Sequence, residues 1–194
     1  MIVNLSSRRC LAWAFSAGTL FLAGCVPKVS TSHGDVPGSS LVPRGIGVVA
    51  PTPHPISLPA LRSKTFDGRD FTLGKPLARN NSYTRYYVTY RSDGLKISGI
   101  MNIPHGKGPF PLLVLNHGFI DPEVYTNGRG LKREQDYLAR RGYVVLHPDY
   151  RNHADSDDDP EVEMKLRLGY TEDVINAVVA VRRAALTAVD AERV

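Results

Sequence analysis

The sequence has little cysteine: Cys10 and Cys25 are the only two in 194 residues. Both fall in an N-terminal stretch with the features of a signal segment. If Cys10 leaves with that segment and Cys25 is modified, no pair remains for a disulfide. The excess of positive over negative charge is small as well. The net charge is +5, and the basic residues are scattered in pairs such as Lys132 with Arg133 and Arg182 with Arg183. No stripe of Lys and Arg interleaved with aromatics occurs, which argues against a nucleic-acid partner. The apolar run LAWAFSAGTLFLA, residues 11–23, has 13 residues and is too short to span a bilayer. The pattern G-x-S-x-G occurs nowhere. What is present is ordinary for a globular chain: 42% hydrophobic and 22% charged residues, at a length that suits one domain plus extensions.

Arg8 and Arg9 precede the apolar run, and LAGC, residues 22–25, follows it. Charge, short apolar stretch and small residues before a Cys make a signal peptide over residues 1–25. LAGC resembles the bacterial lipobox, in which the Cys is lipidated and becomes the first mature residue. The resemblance implies a lipid on Cys25, a membrane partner through that lipid, and a place in the bacterial cell envelope. Val26 after the Cys, rather than Asp, leans towards the outer membrane in a Gram-negative host. An ordinary secretory signal with an incidental Cys25 is the other reading. Residues 26–80 are rich in Pro, Gly, Ser and Thr, lack apolar periodicity over much of their length, and read as a tether. Within it LVPRG, residues 41–45, coincides with a thrombin recognition sequence and reads as linker.

Residues 81–194 read as the folded domain. RYYVTY, then the turn signal SDG, then LKISGIMNIP predict an antiparallel hairpin, with Leu95, Ile97, Gly99, Met101 and Ile103 on one face. PLLVLNHG opens with a continuous apolar run that suits a strand covered on both sides. GRGLKREQDYLARRG predicts a helix capped by Gly142, with Leu131, Tyr137 and Leu138 on its apolar face. YVVLHPDY predicts a second buried strand. DDDPEVEMKLRLGYTEDVINAVVAVRRAAL predicts a long helical stretch, with Pro160 in its first turn, an apolar stripe at Leu166, Tyr170, Val174, Val178 and Val181, and a break near Gly169. Strand, helix, strand, helix means an α/β fold with parallel βαβ units.

The order of these segments resembles the first half of an α/β-hydrolase domain, nearest the prolyl-oligopeptidase and dienelactone-hydrolase-like branch. The resemblance implies a hairpin followed by parallel βαβ units, cut before the nucleophile elbow. That elbow carries the serine, and the acid and histidine follow it in chain order. All three would lie beyond Val194, and the chain alone would be inactive. The oxyanion hole would remain. In NHGF, residues 116–119, the backbone N–H of Phe119 would be one donor to the developing oxyanion, and Gly118 would let the backbone turn. His117 would be a structural neighbour of the site that hydrogen-bonds loop backbone. Asp149 and Arg151 would pair to shape the adjoining loop. His105, His147 and His153 would be loop or surface residues. Asp155, Asp157 and Asp159 have the opening spacing of a calcium loop, but Pro160 and Leu166 stand where Gly and Glu are needed. They read as an acidic loop whose last Asp caps a helix, so no metal or cofactor is expected.

Two functions follow. One is a membrane-tethered serine hydrolase, a peptidase or carboxylic-ester hydrolase working through an acyl-enzyme on a small ester or short peptide. The other is a non-catalytic truncated lipoprotein that binds a partner or is a remnant.

Overall fold

The computed structural model of the protein describes residues 51–194. The signal segment with Cys25, and the tether as far as residue 50, lie outside the described residues. The later part of the expected tether is ordered. Residues Leu58–Ser63 form helix α1, capped where the Ser57 hydroxyl accepts from the Ala60 N–H at 3.4 Å. Residues Arg69–Arg79 form strand β1, antiparallel to the hairpin that follows. Its alternation is illegible in the sequence because β1 is an exposed edge strand whose register shifts three times. Gly74 and Pro76 sit within it, and Pro is tolerated in a strand at such an edge.

Strands β2 (Tyr83–Ser92) and β3 (Leu95–Pro104) pair over ten consecutive residues, from Tyr83 opposite Pro104 to Ser92 opposite Leu95. Asp93 and Gly94 turn the chain with φ of 50° and 83°. Two positive φ values are what a type I′ hairpin turn requires. Strand β4 (Phe110–Val114), helix α2 (Lys132–Ala139) and strand β5 (Val144–Pro148) then form a parallel βαβ unit. Gly142, at φ 85°, ends α2: its N–H donates to the Ala139 carbonyl and that of Tyr143 to Leu138, the double closure of a Schellman motif. Helix α3 (Leu168–Ala184) leads to strand β6 (Val189–Asp190), parallel to β4. The sheet order is β1-β2-β3-β5-β4-β6, so the fold is α/β on a mixed sheet.

Side chains alternate between the two faces of this sheet. Val88, Tyr90, Ile97, Met101, Leu112, Val144 and Leu146 are buried together with Ala177, Ala180 and Val181 of α3. Val145 faces the other way, towards Ala139 of α2 and Tyr83. Each large aliphatic side chain in these layers contributes roughly 1.5–3 kcal/mol of transfer free energy.

Both helices dock on faces turned from those the sequence suggests, although Leu138 of α2 and Val181 of α3 do reach the core. On α2, Leu131 just before it and Tyr137 are largely exposed, and the buried residues are Gln135 and Ala139. The Gln135 amide explains this. Its oxygen accepts from the Arg85 guanidinium at 2.6 Å and its nitrogen donates to the Gly130 carbonyl at 2.7 Å. Residues 160–167 form turns rather than helix, so Pro160 starts no helix, and Leu166 is 74% exposed. The buried face of α3 runs through Gly169, Asp173, Asn176, Ala177, Ala180 and Val181. The break falls at Leu166 and Arg167, both at positive φ, so that Gly169 lies in the first turn of α3, where a Cβ would stand 2.6 Å from the Arg151 guanidinium.

Asp173 is what that face is built around. Its carboxylate accepts from Arg151 Nε and Nη2, from the Arg151 backbone N–H at 2.9 Å, and from the Ser92 hydroxyl at 2.7 Å. Burial disfavours the charge on Arg151, yet the hydrogen bonds and charges of Asp173 and Asp159 outweigh it and raise its pKa further above the ordinary arginine value. Removing one member of a buried pair leaves the other uncompensated. Asp173→Ala should therefore destabilise the protein by about 3–5 kcal/mol in chemical denaturation. A loss below about 1 kcal/mol would mean that the pair is not what holds α3.

Candidate functional site

Where the strand order of a parallel sheet reverses, loops leave the carboxyl ends of neighbouring strands in opposite directions and open a crevice. Here β4 is flanked by β5 on one side and β6 on the other. The loops after β4 (residues 115–131) and after β5 (residues 149–167) meet at that end. They enclose a cavity of about 320 Å³, lined by Asn116, His117, Gly118 and Phe119 from the first loop and by Tyr150, His153, Arg167, Tyr170, Thr171 and Val174 from the second and the start of α3.

Asp149 joins the two loops. Its side chain is fully buried, and four donors converge on it. Oδ1 accepts from the Tyr125 hydroxyl and the Gly128 N–H, both at 2.8 Å. Oδ2 accepts from the Ser98 hydroxyl at 2.6 Å and from Asn127 Nδ2 at 2.7 Å. Asp149 and Arg151 therefore do not pair with each other. They lie just past the end of β5 with Tyr150 between them at φ 72°, which breaks the strand's alternation, and their side chains serve opposite sides: Asp149 the loop after β4, Arg151 helix α3 and Asp159.

A column of rings stands beside Asp149. Tyr125 stacks on His117 with centroids 4.8 Å apart, His117 on Tyr150 at 4.3 Å, and Tyr150 on Tyr170 at 5.2 Å. Burial and the Asp149 carboxylate raise the Tyr125 phenol pKa, and burial with the nearby Asp173 pushes Tyr150 up to about 12. Both phenols stay protonated and donate, Tyr125 to Asp149 and Tyr150 to the His117 carbonyl.

Two of the histidines depart from expectation. His105 is exposed and reaches the Thr84 hydroxyl, but His147 and His153 are buried. Each bridges two segments. The nitrogens of His147 lie 2.8 Å from the Leu115 carbonyl and 2.9 Å from that of Arg129. Those of His153 lie 2.9 Å from the Arg151 carbonyl and 3.0 Å from that of Ile120. His117 sits between the Gly118 and Asp149 carbonyls at 2.7 and 3.2 Å. Irregular loops leave carbonyls without ladder partners, and buried carbonyls need donors. A neutral ring supplies one such donor, from whichever nitrogen its tautomer protonates. None of the three is placed as a free base, because all their nitrogens face backbone.

Phe119 is 63% exposed and borders the cavity. Among the described residues its N–H donates to no protein acceptor. Gly118 is not required by space: a Cβ there would meet nothing within 4 Å, and its φ is not positive. The glycines with a steric reason in this loop are Gly128, at φ 71°, where a Cβ would lie 2.8 Å from Ile100, and Gly130, at φ 94°, where one would lie 3.1 Å from the His117 Cβ. In the acidic stretch, Asp157 Oδ2 accepts from the Lys96 N–H, and Asp159 accepts from Arg151 and from the Glu161 N–H without a helix following. Among the described residues no group of three or more His, Cys, Asp or Glu could hold a metal ion. No helix among them is long and apolar enough to cross a membrane. Arg167 and Asp173 escaped the sequence reading, which placed Tyr170 on an apolar helix stripe and not at the site. The signal for Asp173 was a run of small and polar residues, Gly169, Asp173, Asn176 and Ala180, at helical spacing.

No protein-family model matches the sequence, and no curated protein matches it. The chain is similar in structure to the rice cell wall degrading esterase LipA from Xanthomonas oryzae. A ligand-bound form is 20% identical at a TM-score of 0.38, over 58% of this chain and 34% of that one. Another structure of it is 19% identical at 0.38, over 65% and 40%. This chain thus spans well under half the length of those chains. Likeness of this extent leaves the site to be read from its own geometry.

His147 gives that geometry a pH dependence. Burial, its main influence, lowers its pKa below the ordinary 6.5, and the neighbouring His117 adds to this against the pull of the two carbonyls. The unfolded chain therefore takes up this proton first, and stability is lost as pH falls through the ordinary value. The stability difference between the protein and His147→Gln, followed by urea denaturation, should shrink below pH about 6.5 by up to about 1.4 kcal/mol per pH unit. Parallel profiles would contradict the assignment.

Proposed function

We propose that this chain carries the oxyanion-side half of a serine hydrolase of the α/β-hydrolase type, nearest the prolyl-oligopeptidase and dienelactone-hydrolase-like branch. The substrate is a small carboxylic ester or short peptide. The protein is held at the cell envelope by a lipid on Cys25. The observation that carries the reading is the uncommitted N–H of Phe119, at the carboxyl end of β4 and at the border of the cavity. In such enzymes one oxyanion donor comes from this loop and the other from the residue after the nucleophile.

β6 adds support. It runs parallel to β4, and the Leu112 N–H donates to the Arg193 carbonyl at 2.9 Å. Chain continuing in that direction would emerge beside residues 116–119, where the nucleophile elbow belongs. Serine, acid and base are supplied by residues outside this sequence. A substrate carbonyl would sit with its oxygen on the Phe119 N–H while serine attacks, and charge would gather on that oxygen as the tetrahedral intermediate forms. His117, Tyr150 and Asp149 fix the loop so that the N–H need not reorganise.

The absence of G-x-S-x-G from the 194 residues favours the second reading, a non-catalytic binding lipoprotein. A serine-directed fluorophosphonate probe separates the two. The polypeptide made by the native cell should label at a serine outside residues 1–194, and the 194-residue chain alone should neither label nor turn over p-nitrophenyl acetate. In the polypeptide that labels, Phe119→Pro removes the N–H and should lower kcat by about 10²–10³-fold. Failure of the native polypeptide to label, or an unchanged kcat in Phe119→Pro, would overturn the proposal.

A further inference from the structure

The cavity walls are rings. Phe119, Tyr150 and Tyr170 bound it with Val174, and the Tyr150 and Tyr170 rings lie within 17° of parallel. Both faces of Tyr150 are stacked, on His117 and on Tyr170, so it turns an edge to the cavity, and ring edges and faces pair best with other π systems, which favours a flat apolar guest. One permanent charge reaches this lining, and it belongs to Arg167.

Arg167 is placed with some effort. Leu166 and Arg167 both have positive φ, 50° and 58°, although neither is glycine. Such conformations persist where the surroundings over-determine them, and they gather at sites that grip a ligand. The turn is closed where the Arg167 N–H donates to the Val162 carbonyl at 2.9 Å. The guanidinium then lies over the Phe119 ring, 4.3 Å from its centroid. Nε is committed to Glu163 at 2.8 and 3.0 Å. Among the described residues, the two terminal nitrogens donate to no protein group, and the side chain is 41% exposed. A guanidinium laid on an aromatic face with its outer edge open is shaped to accept a carboxylate side by side.

We propose that this cavity binds an aromatic carboxylate, its ring between Phe119 and the Tyr150–Tyr170 pair and its carboxylate on the outer edge of Arg167. In the hydrolase this is the specificity element for an ester that carries an aromatic acid group. The inference rests on reading the cavity as the substrate pocket, and it is tested by binding, so that it and the hydrolytic reading can fail separately. If Arg167 served only as a surface partner of Glu163, removing its charge would leave ligand affinity unchanged.

The test titrates the 194-residue chain with phenylacetate, phenylacetamide and acetate, following the backbone amide resonances of Gly118, Phe119 and Thr171 by NMR. Phenylacetate should shift these amides saturably and bind at least about tenfold tighter than either of the others, the margin expected of a charge-assisted hydrogen-bond pair. Arg167→Gln should bring phenylacetate to the level of phenylacetamide and leave phenylacetamide within about twofold. That second measurement shows that the pocket itself is intact. Equal affinities for phenylacetate and phenylacetamide, a preference that survives Arg167→Gln, or no saturable shift with phenylacetate would each overturn the proposal.

Discussion

A carboxyl group taken out of water must find donors that replace it, and Asp149 finds four. They come from three places in the chain: Ser98 on β3, the Tyr125 side chain, and Asn127 with Gly128 at the end of the same loop. The loop after β4 has no regular structure beyond a short 3₁₀ turn at Pro122–Val124. Without the carboxylate its backbone would have few fixed partners. With it, the loop is tied to the strand end from which the second site loop departs. The histidines complete the tie, each ring lying between two backbone carbonyls of these loops and strand ends. The ring column then packs where these anchors leave it.

A second buried carboxylate, Asp173, does the same work for the other face. It holds the Arg151 guanidinium and the Ser92 hydroxyl, and Asn176 one turn on donates to Ser92 and accepts from the Gly68 N–H. Two residues of β5's trailing end, Asp149 and Arg151, thus face opposite layers, and each is satisfied by its own layer. Tyr150, at φ 72° between them, breaks the alternation of the strand and so divides the polar groups between the two sides of the site.

The elements that were legible in the sequence are those whose pattern is local. The hairpin shows as alternation on both sides of an Asp-Gly turn, and β5 shows as a continuous apolar run. The end of α2 shows as a glycine at positive φ. Elements decided by distant partners were not legible. β1 is exposed along most of its length and exists because β2 offers it an edge. The buried face of α3 is polar because Arg151 arrives from β5, and no property of the helix alone reveals that. His147 and His153 look like surface residues until the carbonyls of two loops are placed around them. In the site itself, Asn116 to Phe119 stood out by their position after an apolar run. Arg167 and Tyr170 did not, since their meeting with Phe119 depends on how the turn before α3 is folded.

The central claim is that the Asp149 carboxylate sets the shape of the loop that presents the Phe119 N–H. Amide hydrogen exchange of the protein and of Asp149→Asn, compared residue by residue, tests it most directly. The account predicts that exchange accelerates at Gly128 and through residues 115–130, while the β2–β3 ladder, at Val88 and Met101, keeps its protection. Unchanged exchange in the loop after β4, or equal loss everywhere, would contradict it.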